Sequence, residues 1–117
     1  MVEVDRVVNE VLRDGLDDWV LIDSLLWSAR RAAGEGNDFR ILVRRALEVL
    51  LGDRLMQIGD LGENGFEAWT SSVDESVDRA VRECEAFDWL PMGAGCWLSN
   101  TAEGDARGRL ASLQPGG

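Results

Sequence analysis

The stretch NDFRILVRRALEVLLGDRLMQIGDLGENGFEAWT, residues 37–70, changes its hydrophobic period halfway along. Phe39, Leu42, Val43, Ala46, Leu47 and Leu50 recur at i, i+3, i+4 and i+7, the stripe of an amphipathic helix. Asn37 or Asp38 is positioned to cap that helix, and Gly52 marks its end. Residues 55–61, LMQIGDL, then read as a strand with Met56 and Ile58 on one face. The ENG tripeptide turns the chain, and FEAWT returns as the partner strand of a hairpin. If Phe66 and Ala68 face the core, alternation turns Glu67 and Trp69 outward. Trp69 is then either covered by the C-terminal segment or an interface anchor, and a second tryptophan at 97 favours covering.

Working outward, Val4, Val7, Val8, Val11 and Leu12 predict a first helix, with Gly15 at the position of a C-terminal glycine cap. Trp19 to Ile22 reads as a brief strand. Asp23 or Ser24 then caps a second helix that buries Leu25, Leu26, Ala29 and Ala33 and stops at Gly34. Beyond the hairpin, Ser72 and Glu75 form a capping box. The fourth helix that follows has Val73, Val77, Ala80, Val81, Cys84 and Phe87 as its apolar stripe. DWLPMGAG is an irregular loop and CWLS a short strand. Asn100 with Glu103 suggests the cap of a last helix, weakened by Gly104 and Gly108. QPGG is a disordered tail, residues 114–117.

The expected fold class is α+β, mainly helical, in one domain spanning residues 1–113. Its element order of helix, strand, helix, helix and hairpin over residues 3–70 resembles a winged helix-turn-helix domain. The resemblance rests on that order, the WVLI strand and the ALEVLLGDRLMQIGD passage from third helix into wing. It implies a winged-helix-like core, with residues 71–113 an added helix and a Trp-containing cover. A narrower resemblance comes from Gly65-Phe66 followed by Trp69, and from Trp97-Leu98-x-Asn100-Thr101-x-x-Gly104. This pattern is similar to one in small acidic, mostly uncharacterised actinobacterial proteins, and some proteins of this size and charge serve as immunity partners of toxins.

Composition narrows the chemistry. The 117 residues hold 22 acids and 12 bases, all twelve arginine, for a formal charge of −10. Such a surface disfavours nucleic acid and anionic membranes and favours fast encounter with a basic protein. No apolar run is long enough to span a membrane, and the acidic start lacks the features of a signal peptide, so a cytoplasmic location is expected. The chain has no histidine, lysine or tyrosine, so its nine serine and threonine hydroxyls have none of the usual activating bases. Cys84 and Cys96 form no CxxC and read as buried thiols. Asp60, Asn64 and Gly65 fit three positions of a calcium loop, but Gly62 and Ser71 stand where two ligands belong. Neither enzyme nor cofactor is expected. The five tryptophans (19, 27, 69, 89 and 97) read first as core packing.

Two binding faces follow. Asp60, Glu63, Glu67, Trp69, Asp74, Glu75 and Asp78 make an acidic wing and fourth helix suited to a basic toxin or effector, in the manner of an immunity protein. Alternatively, Arg40, Arg44 and Arg45 on the third helix read DNA, as a winged helix would. Residues 30–54 carry six arginines against four acids, while the rest of the chain carries six against 18. Against DNA stand Glu48 on the same face and the acidic wing tip at Asp60 and Glu63. The plain alternative is a solvated face with ion pairs such as Arg44 to Glu48, and Glu75–Arg79 and Asp78–Arg82 on the fourth helix.

Overall fold

Valine and leucine spacing dictates where the helices lie. The computed structural model describes residues 2–113, so the expected 114–117 tail lies outside the described residues. The described chain runs α1 (Val2–Asp14), β1 (Val20–Leu21), α2 (Ile22–Ala33), α3 (Asn37–Gly52), β2 (Met56–Gly62), β3 (Gly65–Ala68), α4 (Val73–Ala86), β4 (Trp97–Asn100) and α5 (Ala102–Ser112). The fold is therefore α+β and mainly helical. Val7, Val8 and Val11 of α1, Leu25 of α2 and Val43, Leu47 and Leu50 of α3 are wholly buried in one core. Full burial of each such side chain stabilises the fold by about 1.5–3 kcal/mol. The α4 stripe is shorter than expected. Val77, Ala80 and Cys84 are buried, Val81 is half-buried, and Val73 and Phe87 at its ends are exposed.

Helix ends depart from the sequence expectation in several places. Asp23 and Ser24 do not cap α2. The helix starts directly from β1 at Leu21, because the Ile22 amide donates to the Cys96 carbonyl at 3.0 Å and extends the sheet pairing. The Asp23 carboxylate instead accepts from the Gly93 amide at 3.2 Å. Gly36, in a left-handed conformation, precedes α3, so Asn37 and Asp38 sit inside its first turn. Gly34 does stop α2, with φ 74°. Gly15 has no left-handed φ; it is small because a side chain there would strike the Asn100 amide. Ser72 caps α4 as expected, accepting from the Glu75 amide at 3.2 Å.

Helices α3 and α4 both close with the Schellman pattern of hydrogen bonds, without the usual glycine. After α3, Arg54 takes φ 57° and the Leu55 amide reaches the Leu50 carbonyl at 2.9 Å. After α4, Asp88 and Trp89 take φ 54° and 61°, and the Trp89 amide reaches the Cys84 carbonyl at 2.7 Å.

All four strands pair antiparallel in the order β1-β4-β2-β3. The element order through the hairpin is the expected one. The C-terminal strand, however, is not a cover laid over a finished core. It lies between β1 and β2, with Leu98 opposite Val20 on one side and Ile58 on the other. These three side chains are buried and form the inner face of the sheet. The register also reverses the expected faces of β3. Phe66 pairs with Leu61 and Ala68 with Gly59, placing them on the outer face. Trp69, whose amide donates to the Ile58 carbonyl at 2.9 Å, packs half-buried against the core.

The last helix seals α1. Its cap is Thr101, whose hydroxyl accepts from the Gly104 amide at 3.1 Å. Asn100 is diverted to the core, its amide donating to the Leu12 carbonyl at 2.9 Å and to Asp105 at 3.0 Å. The two glycines expected to weaken this helix have a packing role. A side-chain carbon at Gly104 would run into the Leu55 carbonyl oxygen, and one at Gly108 would lie 3.0 Å from the Leu12 carbonyl oxygen. Backbone thus meets backbone at two places, against Leu55 just before β2 and against Leu12 of α1, and only glycine permits the first.

Candidate protein-binding surfaces

The groups with most intrinsic reactivity are inert here. Cys84 and Cys96 are free and buried. Burial, followed by the nearby Glu83 charge, pushes the Cys84 thiol up to about 12 and raises Cys96 as well. Neither is a thiolate near neutral pH, so neither is an available nucleophile. No group of three or more His, Cys, Asp or Glu is placed to hold a metal among the described residues. Asp60, first in the calcium-like loop, is engaged with Trp69 and Arg79 instead. No described helix is long and apolar enough to cross a membrane.

The arginine face of α3 is overlaid by α4. Arg40 stacks against the Trp89 ring, 5.6 Å from its centre. Arg44 pairs with Asp78 of α4 at 3.0 Å, not with Glu48 of its own helix as expected. Arg45 is exposed, and among the described residues it is in no ion pair. Of the three arginines proposed to meet DNA, two are thus engaged by the chain itself.

Six of the seven residues of the expected acidic surface fall into two groups. Asp60, Trp69 and Asp78 are tied to arginines. Arg79 reaches Asp60 at 3.6 Å and lies over the Trp69 ring at 3.8 Å from its centre. The Trp69 indole donates to Asp60 at 2.9 Å. Trp69 is therefore covered by α4, through Arg79, and not by the C-terminal segment. This also replaces the expected Glu75–Arg79 and Asp78–Arg82 pairs: long side chains reach the neighbouring element in preference to their own helix. Glu75 accepts from the Ser72 hydroxyl at 2.9 Å. The second group, Glu63, Glu67 and Asp74, is exposed without an ion-pair partner among the described residues.

Sequence reasoning missed where the exposed apolar surface lies. Trp19 is 41% exposed and Leu61 43%, and strand alternation places both on the outer sheet face with Phe66 and the half-buried Trp97. The rings of Trp19 and Phe66 lie 6.3 Å apart, so the start of β1 meets the hairpin across that face. Asp17, Asp18 and Glu63 are exposed next to these residues in the chain, whereas Glu67, paired opposite Asp60, is exposed on the other face of the hairpin. A second apolar group surrounds α2: Trp27 is 64% exposed, Leu90 58% and Met92 82%. The helical pattern already contained this signal. Trp27 sits two residues past buried Leu25, about 200° around the helix, on the side away from the core. Trp89 alone among the five tryptophans is buried, against Phe39 at 5.5 Å. Comparison with known proteins brings no match to this geometry or sequence: no family model, no curated protein and no solved structure is significantly similar to the chain.

Proposed function

We propose that the chain is a non-catalytic protein-binding module, an immunity- or antitoxin-type inhibitor that engages a basic partner protein by occlusion. One observation carries this reading. Of 22 acidic side chains, five lie in ion pairs among the described residues and 17 do not, against seven arginines outside ion pairs, on a surface that also exposes tryptophan and leucine. A surface of strong net charge steers an oppositely charged partner, and large apolar side chains within it supply residence time once water is expelled. The contact surface is the acidic hairpin with its outer face. Glu63, Glu67 and Asp74 supply free charge, and Trp19, Leu61 and Phe66 take over the anchoring role expected of Trp69. A second copy of this chain fits the same face poorly, because acid would meet acid.

The DNA-binding alternative rests on Arg45 with Arg40 and Arg44 released from their present contacts. Few uncompensated arginines give few phosphate contacts and little affinity.

The test is capture from nuclease-treated lysate of the source organism, wild type beside Trp19→Ala and beside a Glu63→Arg, Glu67→Arg variant. The expected result is one basic protein held stoichiometrically by wild type and lost from both variants. With that partner purified, its association rate falls as salt rises. Proteins retained equally by all three forms would overturn the reading. A salt-sensitive DNA affinity abolished by Arg44→Ala would establish the alternative.

A further inference from the structure

A cavity of about 570 Å³ opens between α2 and the loop that follows α4. Trp27, Leu90 and Met92 stand around it with most of their surface in solvent. The loop holds this shape against backbone preference. Asp88, Trp89 and Met92 all occupy the left-handed region, which costs non-glycine residues of order 1–3 kcal/mol each. Trp89 fixes the conformation from below. Its ring is buried against Phe39, and its carbonyl accepts from Arg30. The outcome is a rigidly anchored loop that raises two large apolar side chains toward an exposed tryptophan.

The charges in this cleft are unequal once the internal pairs are removed. Arg30 is satisfied by Glu35 at 2.8 Å and by the Trp89 carbonyl, and Arg31 by Glu10. Asp14 and Asp23 remain. Among the described residues, Asp23 accepts a hydrogen bond from the Gly93 amide and is in no ion pair. Partial enclosure, then the charge of Glu10, raises the Asp14 carboxyl above its ordinary value, against the opposing pull of Arg13 and Arg31. An apolar wall beside two carboxylates that are in no ion pair among the described residues matches a side chain with an aliphatic stem and a cationic tip.

Building on the reading of a basic partner, we propose that this cleft seats an arginine or lysine side chain of that partner, its stem lying on Trp27 and its charge meeting Asp14 and Asp23. It is a contact separate from the hairpin face.

The test uses the full chain and a short capped peptide with one central arginine among alanines. The control peptide carries citrulline in its place, equal in shape and without charge. The five tryptophan indole N–H signals are followed by NMR, with that of Trp27 assigned from Trp27→Phe. The arginine peptide should shift the Trp27 signal and leave Trp19 unmoved. The citrulline peptide should not shift it, and Asp14→Asn with Asp23→Asn should weaken the arginine peptide roughly tenfold or more. Equal shifts from both peptides, or no shift at Trp27, would overturn the proposal. So would self-association of the free protein that Trp27→Ala abolishes, which would assign the cleft to a second copy. Captured partner held equally by wild type and the Asp14→Asn, Asp23→Asn variant would sink the cleft alone and leave the basic-partner reading standing. Absence of any captured partner would remove that reading first.

Discussion

Two places where a helix meets the C-terminal third of the chain are built in opposite ways. Along the α5 seam, Gly108 meets the Leu12 backbone of α1 and Gly104 meets the Leu55 backbone just ahead of β2, and Asn100 hydrogen-bonds across to Leu12. Beside α2, the loop after α4 stands off, and tryptophan, leucine and methionine face water. Small residues close one junction; large residues leave the other open. Closing a junction with glycine gains packing at the expense of helix propensity, because the close approach outweighs about 1 kcal/mol per glycine. Leaving large apolar groups uncovered brings the folded state no such return, which is why the proposed contact is placed at the open junction.

The contrast can be broken most forcefully at the seam. Gly104→Val should destabilise the fold by about 3 kcal/mol or more, since the new side chain meets backbone and not a flexible neighbour; urea unfolding followed by circular dichroism measures it. A loss below 1 kcal/mol would mean that the seam is looser than described. At the open junction the opposite sign is expected. Asp88→Gly should stabilise by about 1 kcal/mol by relieving a left-handed φ, read from the same unfolding curves. Smaller still, Trp27→Ala should change stability by no more than about 0.5 kcal/mol while removing peptide binding at the cleft.

The smallest effect concerns pH. Asp14 has a raised pKa in the folded state, so between its unfolded and folded values the native protein binds more protons. Stability contributed by this group is therefore lost as pH rises through that window, and the resulting penalty persists above it. Asp14→Asn should raise the melting temperature slightly at neutral pH, and the difference should vanish under acid conditions below the ordinary aspartate range. A variant less stable than wild type at neutral pH would contradict a raised Asp14 pKa.

Much of the fold was legible because helical periodicity is a local signal. The stripe from Phe39 to Leu50 needs only its own spacing to be read, and all of it is buried. Helix ends were less legible because distant atoms compete for the same side chains. Asp23 looks like a cap, yet the Gly93 amide, far along the chain, claims it; the Leu12 carbonyl likewise draws Asn100 away from α5. Strand alternation divides β3 into two faces without saying which is inner. The answer lay in β4, since Leu98 beside Ile58 defines the inner side and turns Phe66 out. At the surface, the sequence shows how many acids there are but not which are neutralised. Arg44 finds Asp78 and Arg79 finds Asp60 only because α4 crosses α3 and approaches the hairpin.

The central position of β4 also orders events in time. Val20 and Ile58 share Leu98 as their neighbour, although the chain places it well after both. A growing chain that has passed the hairpin but not residue 97 carries two strand edges awaiting the same partner. Those edges, with their open amides and carbonyls, are available to wrong partners until β4 arrives. The helices, formed from local contacts, have no such wait. Formation of the sheet should therefore be the slow step of folding, set by the long loops that must close before its middle strand can be inserted.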